Sequence, residues 1–429
     1  MDIFIDGKRY AILADSSLPS GKRALVRSYR PSQPTDPART GHARWKLSGP
    51  IGLSREKEDG SLGVDYADNL DTLWDNLLTS SIGGTDITLS GDDPSTGSTE
   101  AIWGGFNWGD AAWGGGLSGS TPQNVSKITD DRGYIFFSRG AFETQVNPSG
   151  WVVVETQLLD SLVLDEEVWQ GKGYLALGAG TTMRRRLAVA STGATYESVS
   201  NTYTKALKVG NDRIWAINAS GSSDNKVFYS LDPFTSVSGS FPVGDSSRTG
   251  NGIGTLGPYA IVGNETGIYG FTDAGKPVTV QDFSEFISTR NGAKFTSAYG
   301  WLYFTGFDGV YAWFPNVANP VGLETLTDFE GTIDGYPTEV RKVGKSLFAA
   351  YLTTSGDTYI VEGRFGPGTE ATGAPVWYPF KKLSSVECHA INSTSANDTI
   401  DLIVGRGSNA SVYTLGLRGR RIDDPNYTY

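Results

Sequence analysis

The side chains that could carry out catalysis are few in this sequence. Its 429 residues include two histidines, His42 and His389, and one cysteine, Cys388. With two histidines that lie far apart in sequence, the chain has few residues that could serve as the base of a Ser-His-Asp or Cys-His arrangement. His389 follows Cys388 directly, and neighbours on a strand face opposite sides, so the two are a poor nucleophile–base pair. The sequence therefore predicts no nucleophilic catalysis.

Carboxylate pairs are the other source of catalytic chemistry. Two Asp or Glu side chains that face a common channel could act as acid and nucleophile on a sugar. The candidates are Asp165, Glu166, Glu167, Asp282 and Glu285. We interpret them as surface residues in a chain with 47 acidic side chains, and the sialidase-type motif Ser-x-Asp-x-Gly-x-Thr-Trp is absent. The sequence thus predicts a protein that is not an enzyme.

Motifs for cofactors and metals are missing as well. There is no P-loop, no GxGxxG that opens a helix after a strand, and no Cys/His spacing that resembles a zinc site. Asp-rich turns at Asp92-Asp93, Asp130-Asp131 and Asp423-Asp424 offer oxygen ligands, but none has the calcium-loop spacing. We interpret these turns as solvated, and we predict no cofactor and no metal.

A repeat of tryptophan and glycine is the strongest candidate interaction element. Trp103, Trp108 and Trp113 recur every five residues, with Phe106 in the first copy, inside the Gly-rich stretch 80–122. Such rings could stack on sugars or anchor a protein interface. They could also pack on the chain's own fold or on a sister copy, and so pin a long connection. Because three exposed tryptophans would be a liability, we expect something to cover them.

Charge is unevenly distributed along the chain. The formal net charge is −11, which argues against a general nucleic-acid binder, since phosphate neutralisation needs clustered Lys and Arg. Residues 1–46 nevertheless hold nine basic and four acidic side chains, a net of +5, which leaves −16 for the remainder. This basic arm could lie on the chain's own acidic body, on an acidic partner or on DNA. Lys22, Arg23, Arg27 and Arg30 are its candidate contact residues.

A pattern that recurs seven times after about residue 123 organises the rest of the chain. In each copy, a short apolar run ends in a turn of small residues and a second run carries an aromatic. The copies begin at Tyr134, Tyr174, Ile214, Tyr259, Leu302, Leu347 and Leu402, in steps of 40 to 55 residues. A period in the forties built from hairpins is typical of β-propeller blades. We predict an all-β protein with a seven-bladed β-propeller over residues 122–429.

Each repeat opens with a weaker strand before the apolar central one. Examples are Thr204-Lys-Ala-Leu-Lys-Val, Ala293-Lys-Phe-Thr-Ser-Ala and Thr338-Glu-Val-Arg-Lys-Val. A turn residue such as Gly210, Gly300 or Gly344 follows. Propellers commonly complete one blade with strands from both chain ends, which removes exposed edges. We therefore expect residues before Pro122 to complete the last blade.

The N-terminal extension divides into the basic arm, residues 1–46, and residues 47–121, which hold the Trp-Gly stretch. Alternation around Asp6-Gly7 predicts a small hairpin over residues 1–13. Spaced prolines favour an extended connector over residues 14–41. Apolar residues at helical spacing predict one short helix over residues 68–79; these are Leu70, Leu73, Trp74, Leu77 and Leu78.

Cysteine usage and the N-terminus bear on the compartment. A single cysteine excludes an intrachain disulfide. The chain opens with Asp2 and Asp6 and no apolar signal region. No apolar run approaches the roughly 18 residues needed to cross a bilayer. We expect synthesis in a reducing cytoplasm and no membrane span.

Several segments resemble β-propeller virion proteins of tailed bacteriophages, of the tail-tip, minor-tail or nozzle type. They are Val227-Phe-Tyr-Ser-Leu-Asp-Pro-Phe-Thr-Ser, Phe241-Pro-Val-Gly, Leu256-Gly-Pro-Tyr-Ala-Ile-Val-Gly and Trp45-Lys-Leu-Ser-Gly-Pro-Ile-Gly-Leu-Ser. The resemblance covers most of residues 45–429. It implies a non-enzymatic structural or adhesion protein, made in the host cytoplasm and then located in the virion.

That resemblance also implies partners. They are other tail proteins and a host-surface glycan or receptor, with several copies of the chain in each particle. Two alternatives remain from the residues themselves. One is a propeller that binds or cleaves carbohydrate at a cell surface, and the other is a scaffold for intracellular partners.

Overall fold

The computed structural model describes two sets of residues. Between residues 2 and 88 it describes the backbone of six short strands. From residue 125 to residue 415 it describes the chain except residues 160, 200–202, 220–225, 232–238, 245–247, 272–277, 315–316, 321–324, 328–331, 366–372, 384–386, 395–399 and 407–408. All regular structure in these residues is β-strand.

The N-terminal strands form two small antiparallel sheets. They are β1 (Asp2–Ile5), β2 (Lys8–Ala14) and β3 (Ala24–Ser28), then β4 (Leu70–Trp74) and β5 (Leu77–Ser80). β1 pairs with β2, which confirms the hairpin, and β3 adds a third strand where an extended connector was expected. The connector prediction is therefore wrong for residues 24–28, where Ala24-Leu-Val-Arg-Ser pairs along β2.

The helix expected over residues 68–79 is a hairpin of β4 and β5. Short apolar runs fit a helix and a strand about equally well, so the spacing of the leucines did not decide between them. The residues between the two strands in the sequence, Asp75 and Asn76, are types that favour tight turns. Turn residues at that point favour two short paired strands over one continuous helix.

Six sheets of consecutive antiparallel strands follow, each a propeller blade. The first has β7 (Val125–Asp131), β8 (Tyr134–Arg139), β9 (Phe142–Asn147) and β10 (Val152–Leu158), after β6 (Thr85–Thr88) in the sequence. The second has β11 (Asp165–Trp169), β12 (Lys172–Ala176), β13 (Arg184–Ala190) and β14 (Gly193–Ser198). The third has β15 (Thr204–Gly210), β16 (Arg213–Asn218), β17 (Lys226–Ser230) and β18 (Gly239–Pro242).

The other three blades repeat the arrangement. The fourth has β19 (Gly250–Leu256), β20 (Tyr259–Asn264), β21 (Gly267–Phe271) and β22 (Val278–Asp282). The fifth has β23 (Phe295–Ala298), β24 (Trp301–Thr305), β25 (Val310–Phe314) and β26 (Val317–Pro320). The sixth has five strands, β27 (Thr325–Thr327), β28 (Thr332–Val343), β29 (Ser346–Thr353), β30 (Thr358–Arg364) and β31 (Val376–Leu383).

The last three strands are β32 (Ile391–Thr394), β33 (Ile400–Arg406) and β34 (Asn409–Leu415). They form a further sheet in which β34 pairs with β6, and we call it the mixed sheet. The expectation of seven blades formed along residues 122–429 is corrected to six blades of consecutive strands, because the C-terminal strands take their fourth member from before residue 122. The propeller fold itself is confirmed.

The core lies between neighbouring blades. The second strand of a blade is the most completely buried, as in β24, where all five residues are buried. Both faces of such a strand are covered, so it is a continuous apolar run. Trp215 of the third blade, for example, packs in one cluster with Val262 and Phe271 of the fourth. Each side chain of this size stabilises the fold by roughly 1.5–3 kcal/mol when buried.

Candidate functional site

A central channel is lined by the first strand of each of the first five blades, by the second strand of the sixth blade and by the first strand of the mixed sheet. We call β7, β11, β15, β19, β23, β28 and β32 the inner strands; neighbours in this order contact one another, and β32 also contacts β7. The channel holds a cavity of about 190 Å³, and residues from all of these strands or the residues just before them line it. Charged residues from several inner strands therefore converge on one space.

Strand alternation explains which side chains line the channel. Asp165 and Glu167 of β11 line it, whereas Glu166 between them is buried. Glu339 and Arg341 of β28 line it in the same way, and Val340 between them is buried. Residues two apart on a strand share a face, so β11 and β28 send alternate residues toward the channel and the others between blades.

Each lining carboxylate contacts a lysine of another inner strand or the residues just before it. The Lys127 ammonium lies 2.6 Å from Asp165 Oδ1, and Lys208 pairs with Glu167. The Lys294 ammonium lies 3.5 Å from Glu339 Oε2. These ion pairs join the first blade to the second, the second to the third, and the fifth to the sixth.

The channel also contains hydrogen bonds that join distant strands. Lys294 Nζ donates to the carbonyl oxygen of Ser126 at 3.3 Å, and these residues belong to blades that are not neighbours along the chain. The backbone N–H of Leu207 donates to Asp165 Oδ2 at 2.8 Å. Polar groups of the channel are therefore engaged mainly with each other.

Proton binding in the channel follows from these contacts. Burial alone raises the pKa of Asp165, but the Lys127 charge and the Leu207 N–H outweigh it and bring that pKa below its ordinary value. Burial lowers the pKa of Lys127, but the charges of Asp165 and Glu167 outweigh it and bring that pKa above its ordinary value. Both partners are thus ionised at neutral pH, and Asp165 holds no proton to give to a substrate.

A second charged cluster lies between the first two blades, and we call it the Arg186 cluster. Arg186 of β13 is fully buried, with Nη1 2.8 Å from Asp131 Oδ2 and Nη2 2.5 Å from both Glu143 Oε1 and Glu166 Oε1. Its guanidinium lies 3.5 Å from the ring centre of Phe136. These contacts tie β7 and β9 of the first blade to β11 and β13 of the second.

Glu166 is the unusual member of the Arg186 cluster. Burial raises its pKa to about 8; the Arg186 charge opposes this rise and the Glu143 charge adds to it. A raised pKa often marks a catalytic acid, but this carboxyl group has no solvent exposure. Glu166 therefore acts in the packing of two blades, and the sequence interpretation of it as a surface residue is wrong.

The other sequence candidates have mixed outcomes. Asp282 and Glu285 are exposed as expected, but Asp131 of the supposedly solvated Asp130-Asp131 turn is buried against Arg186. His389 Nε2 contacts Glu387 at 3.0 Å and Cys388 Sγ contacts the Ala390 carbonyl oxygen, so the two side chains do not form a pair. Burial raises the pKa of the Cys388 thiol to about 12.

The interaction candidates lie outside the described side chains. Trp103, Phe106, Trp108 and Trp113 fall between β6 and β7, in residues the structure does not describe. Lys22, Arg23 and Arg30 are also outside the described residues, and Arg27 is described only as backbone of β3. Their proposed contacts stay predictions.

The sequence contained a signal for the channel that was not used. The weaker strand before the central one carries Lys205 and Lys208 in the third repeat and Glu339 and Arg341 in the sixth, and Lys294 directly precedes that strand in the fifth. All five residues line the channel. Charged residues among apolar ones at the same place in several repeats indicate side chains that face a common axis.

Among the described residues, no group of three or more His, Cys, Asp or Glu side chains is placed to hold a metal ion. No helix among them is long and apolar enough to cross a membrane.

Comparison with known proteins identifies the fold. No family model matches the chain, and no curated protein matches its sequence. A catalytically inactive virginiamycin B lyase from Staphylococcus aureus, solved with quinupristin, is 12% identical with a TM-score of 0.51, over 69% of this chain and 96% of that chain. U3-55K and the RRP9 WD40 repeats are each 9% identical with a TM-score of 0.50, over 68% of this chain and 95% and 94% of theirs. The shared feature is the β-propeller. At these identities the similarity shows the fold alone.

Proposed function

We propose that this chain is a non-enzymatic structural or adhesion component of a bacteriophage virion, associated with the tail. The observation that supports a non-catalytic role is the pairing of the channel carboxylates Asp165, Glu167 and Glu339, each with a lysine. An acid catalyst needs a proton at working pH and a base needs access to its substrate. These carboxylates instead join blades, and the resemblance of residues 45–429 to phage propellers supports the virion assignment.

In this proposal the mixed sheet closes the ring between the sixth blade and the first. Its inner strand β32 contacts both β28 and β7. Asn392 Nδ2 donates to the Ile128 carbonyl oxygen at 2.9 Å, and Ala390 packs with Val125 and Ile128. Closing a ring with strands from both ends of the chain leaves no exposed sheet edge between its first and last blades. The result is a stiff disc suited to holding neighbours in a particle.

Two N-terminal segments attach the disc to its partners in this proposal. The basic arm, with Lys22, Arg23, Arg27 and Arg30, binds an acidic face of a neighbouring virion protein. The Trp-Gly stretch supplies large rigid rings for a second contact, with a virion protein or with a host-surface glycan or receptor. Several copies in one particle would multiply weak contacts of this kind.

The test is the presence of the chain in particles. Phage particles from the organism that encodes the chain are purified on a density gradient, and the chain is quantified by mass spectrometry against the capsid protein. We expect a fixed ratio that falls several-fold in Arg23→Glu and is unchanged in Lys226→Glu, a matched charge reversal at an exposed position of the third blade. Particles that lack the wild-type chain would contradict the proposal.

A second experiment separates the carbohydrate alternative. The purified chain is screened for glycan binding and for glycan cleavage. If the chain cleaves a glycan and Asp165→Asn or Glu339→Gln abolishes that cleavage, the non-enzymatic assignment is contradicted. Binding without cleavage that is lost in Trp103→Ala, but not in an exposed control such as Phe314→Ala, would favour an adhesion role over a purely structural one.

A further inference from the structure

A second cavity adjoins the channel, and its charge differs from that of the channel. It has a volume of about 220 Å³ and shares Lys208, Phe295 and Arg341 with the channel lining. We call it the lower cavity. Its polar lining residues are Lys208, Arg341, Lys342, Thr255, Thr296 and Ser297. None of the described residues that line it is acidic.

The positive charge of the lower cavity is only partly neutralised. Lys208 pairs with Glu167. Arg341 donates from Nη2 to the neutral side-chain oxygen of Asn392 at 3.3 Å, a contact that brings no negative charge. Lys342 follows Arg341 on β28, so its side chain faces the opposite side of the strand, where its ammonium lies 5.5 Å from the ring centre of Tyr299. In a chain of net charge −11, two cations beside a wall without acidic lining residues are a local exception.

The hydrogen-bonding groups of this wall are suited to an oxyanion. The backbone N–H of Lys342 donates to Thr296 Oγ1 at 3.1 Å, so the Thr296 hydroxyl keeps its own hydrogen to donate. Thr255 Oγ1 already donates to the Val209 carbonyl oxygen at 3.1 Å, so Thr255 shapes the wall without supplying a donor.

The size of the lower cavity limits the ligand. Pockets for drug-sized ligands measure roughly 300–1,000 Å³, and this cavity is smaller. Gly254 contributes to its wall, where a Cβ would lie 2.7 Å from the Phe295 Cβ, so a larger residue could not be accommodated there without movement. The space therefore favours a compact group with several oxygens.

We propose that the lower cavity binds a phosphate group, held by Arg341, Lys208 and the hydroxyl of Thr296. A planar guanidinium binds phosphate through two parallel hydrogen bonds, and lysine adds a point charge. The phosphate is either the free ion or the terminal group of a small phosphorylated ligand. This site is independent of the virion assignment, since it rests only on the ring.

The test is calorimetric titration of the full chain in phosphate-free buffer with inorganic phosphate, glucose 6-phosphate and glucose. We expect phosphate to bind with a Kd near or below about 1 mM. Arg341→Gln should weaken binding about tenfold or more, because a charge-assisted hydrogen bond is lost. Lys208→Gln should weaken it several-fold, and Lys226→Gln, which removes a charge from an exposed position elsewhere, should leave it unchanged.

The three ligands distinguish free phosphate from a phosphorylated ligand, and they define the results that would overturn the proposal. Binding of inorganic phosphate alone assigns the free ion, and equal or tighter binding of glucose 6-phosphate assigns a phosphorylated ligand. Absence of binding at millimolar concentrations would overturn the proposal, and so would binding of glucose as strong as that of its phosphate. Equal weakening by Lys226→Gln would also overturn it, because the effect would then be general electrostatics. If Arg341→Gln has a lower melting temperature than wild type, Arg341→Lys is measured as well. This variant keeps the positive charge but loses the two parallel hydrogen bonds of the guanidinium, so it too should bind phosphate more weakly.

Discussion

The buried carboxyl of Glu166 links the stability of the ring to pH in an unusual direction. Its ordinary pKa is 4.5, and burial between the first two blades raises it to about 8. Between these two values the folded chain keeps a proton at Glu166 that the unfolded chain has released. The stabilising contribution of this group is therefore fully present below pH 4.5 and is lost as the pH rises toward 8.

The perturbation is Glu166→Gln. An amide cannot ionise, but its oxygen still accepts from Arg186 Nη2, as Glu166 Oε1 does at 2.5 Å. Each unit of pH between the two pKa values costs the wild-type chain up to about 1.4 kcal/mol through this group. The variant lacks that slope, so its free energy of unfolding relative to wild type should rise steadily from pH 5 to pH 8.

The assay is urea denaturation of both chains at four pH values between 5 and 8, followed by tryptophan fluorescence. Glu285→Gln removes a carboxyl at an exposed position and is the matched control, which should track wild type throughout. Wild-type and Glu166→Gln curves that shift in parallel over this range would refute the reasoning. That result would mean that Glu166 is already ionised in the folded chain at pH 5.

Three further predictions concern how the blades are joined. Arg186→Met leaves Asp131, Glu143 and Glu166 without their shared counter-charge, so the free energy of unfolding should fall by about 3–5 kcal/mol in urea denaturation; an unchanged value would show that the cluster is not buried. Asp165→Asn removes the Lys127 ion pair and should cost about 1–3 kcal/mol by the same measurement, whereas no loss would mean that the pair is solvated. Deleting residues 1–30 should leave the melting temperature of the ring unchanged, and deleting residues 1–89, which include β6, should lower it by several degrees because the edge of β34 is exposed; equal melting of the two truncations would rule out closure by β6.

The repeat made the propeller predictable because its turns and central strands have strong local signals. Gly300 and Gly344 follow inner strands at the expected places, and both have positive φ, a conformation that glycine adopts without strain. The sequence also led us to expect that a strand from before Pro122 would complete the last sheet. It did not predict the position of that strand, Thr85–Thr88, because a four-residue outer strand has almost no hydrophobic pattern.

The acidic run Asp165-Glu166-Glu167 was misread for a different reason. Asp165-Glu166-Glu167 and Arg184-Arg185-Arg186 each look like a solvated stretch in the sequence. On a strand, however, alternate residues face opposite sides, and Glu166 and Arg186 are the members that point between blades. Their partnership joins two strands separated by a hairpin, so nothing local in either run reveals it. Comparison with the equivalent buried residues Ile128 and Val340 of other inner strands is the signal that could have found Glu166.

The measurement that tests the whole account most directly is a cryo-electron microscopy reconstruction of phage particles purified from the organism that encodes this chain. The account predicts density for a ring whose last sheet includes residues 85–88, in several copies on the tail, with the basic arm and the Trp-Gly stretch in contact with neighbouring proteins. A particle whose every protein is assigned without this chain would contradict it.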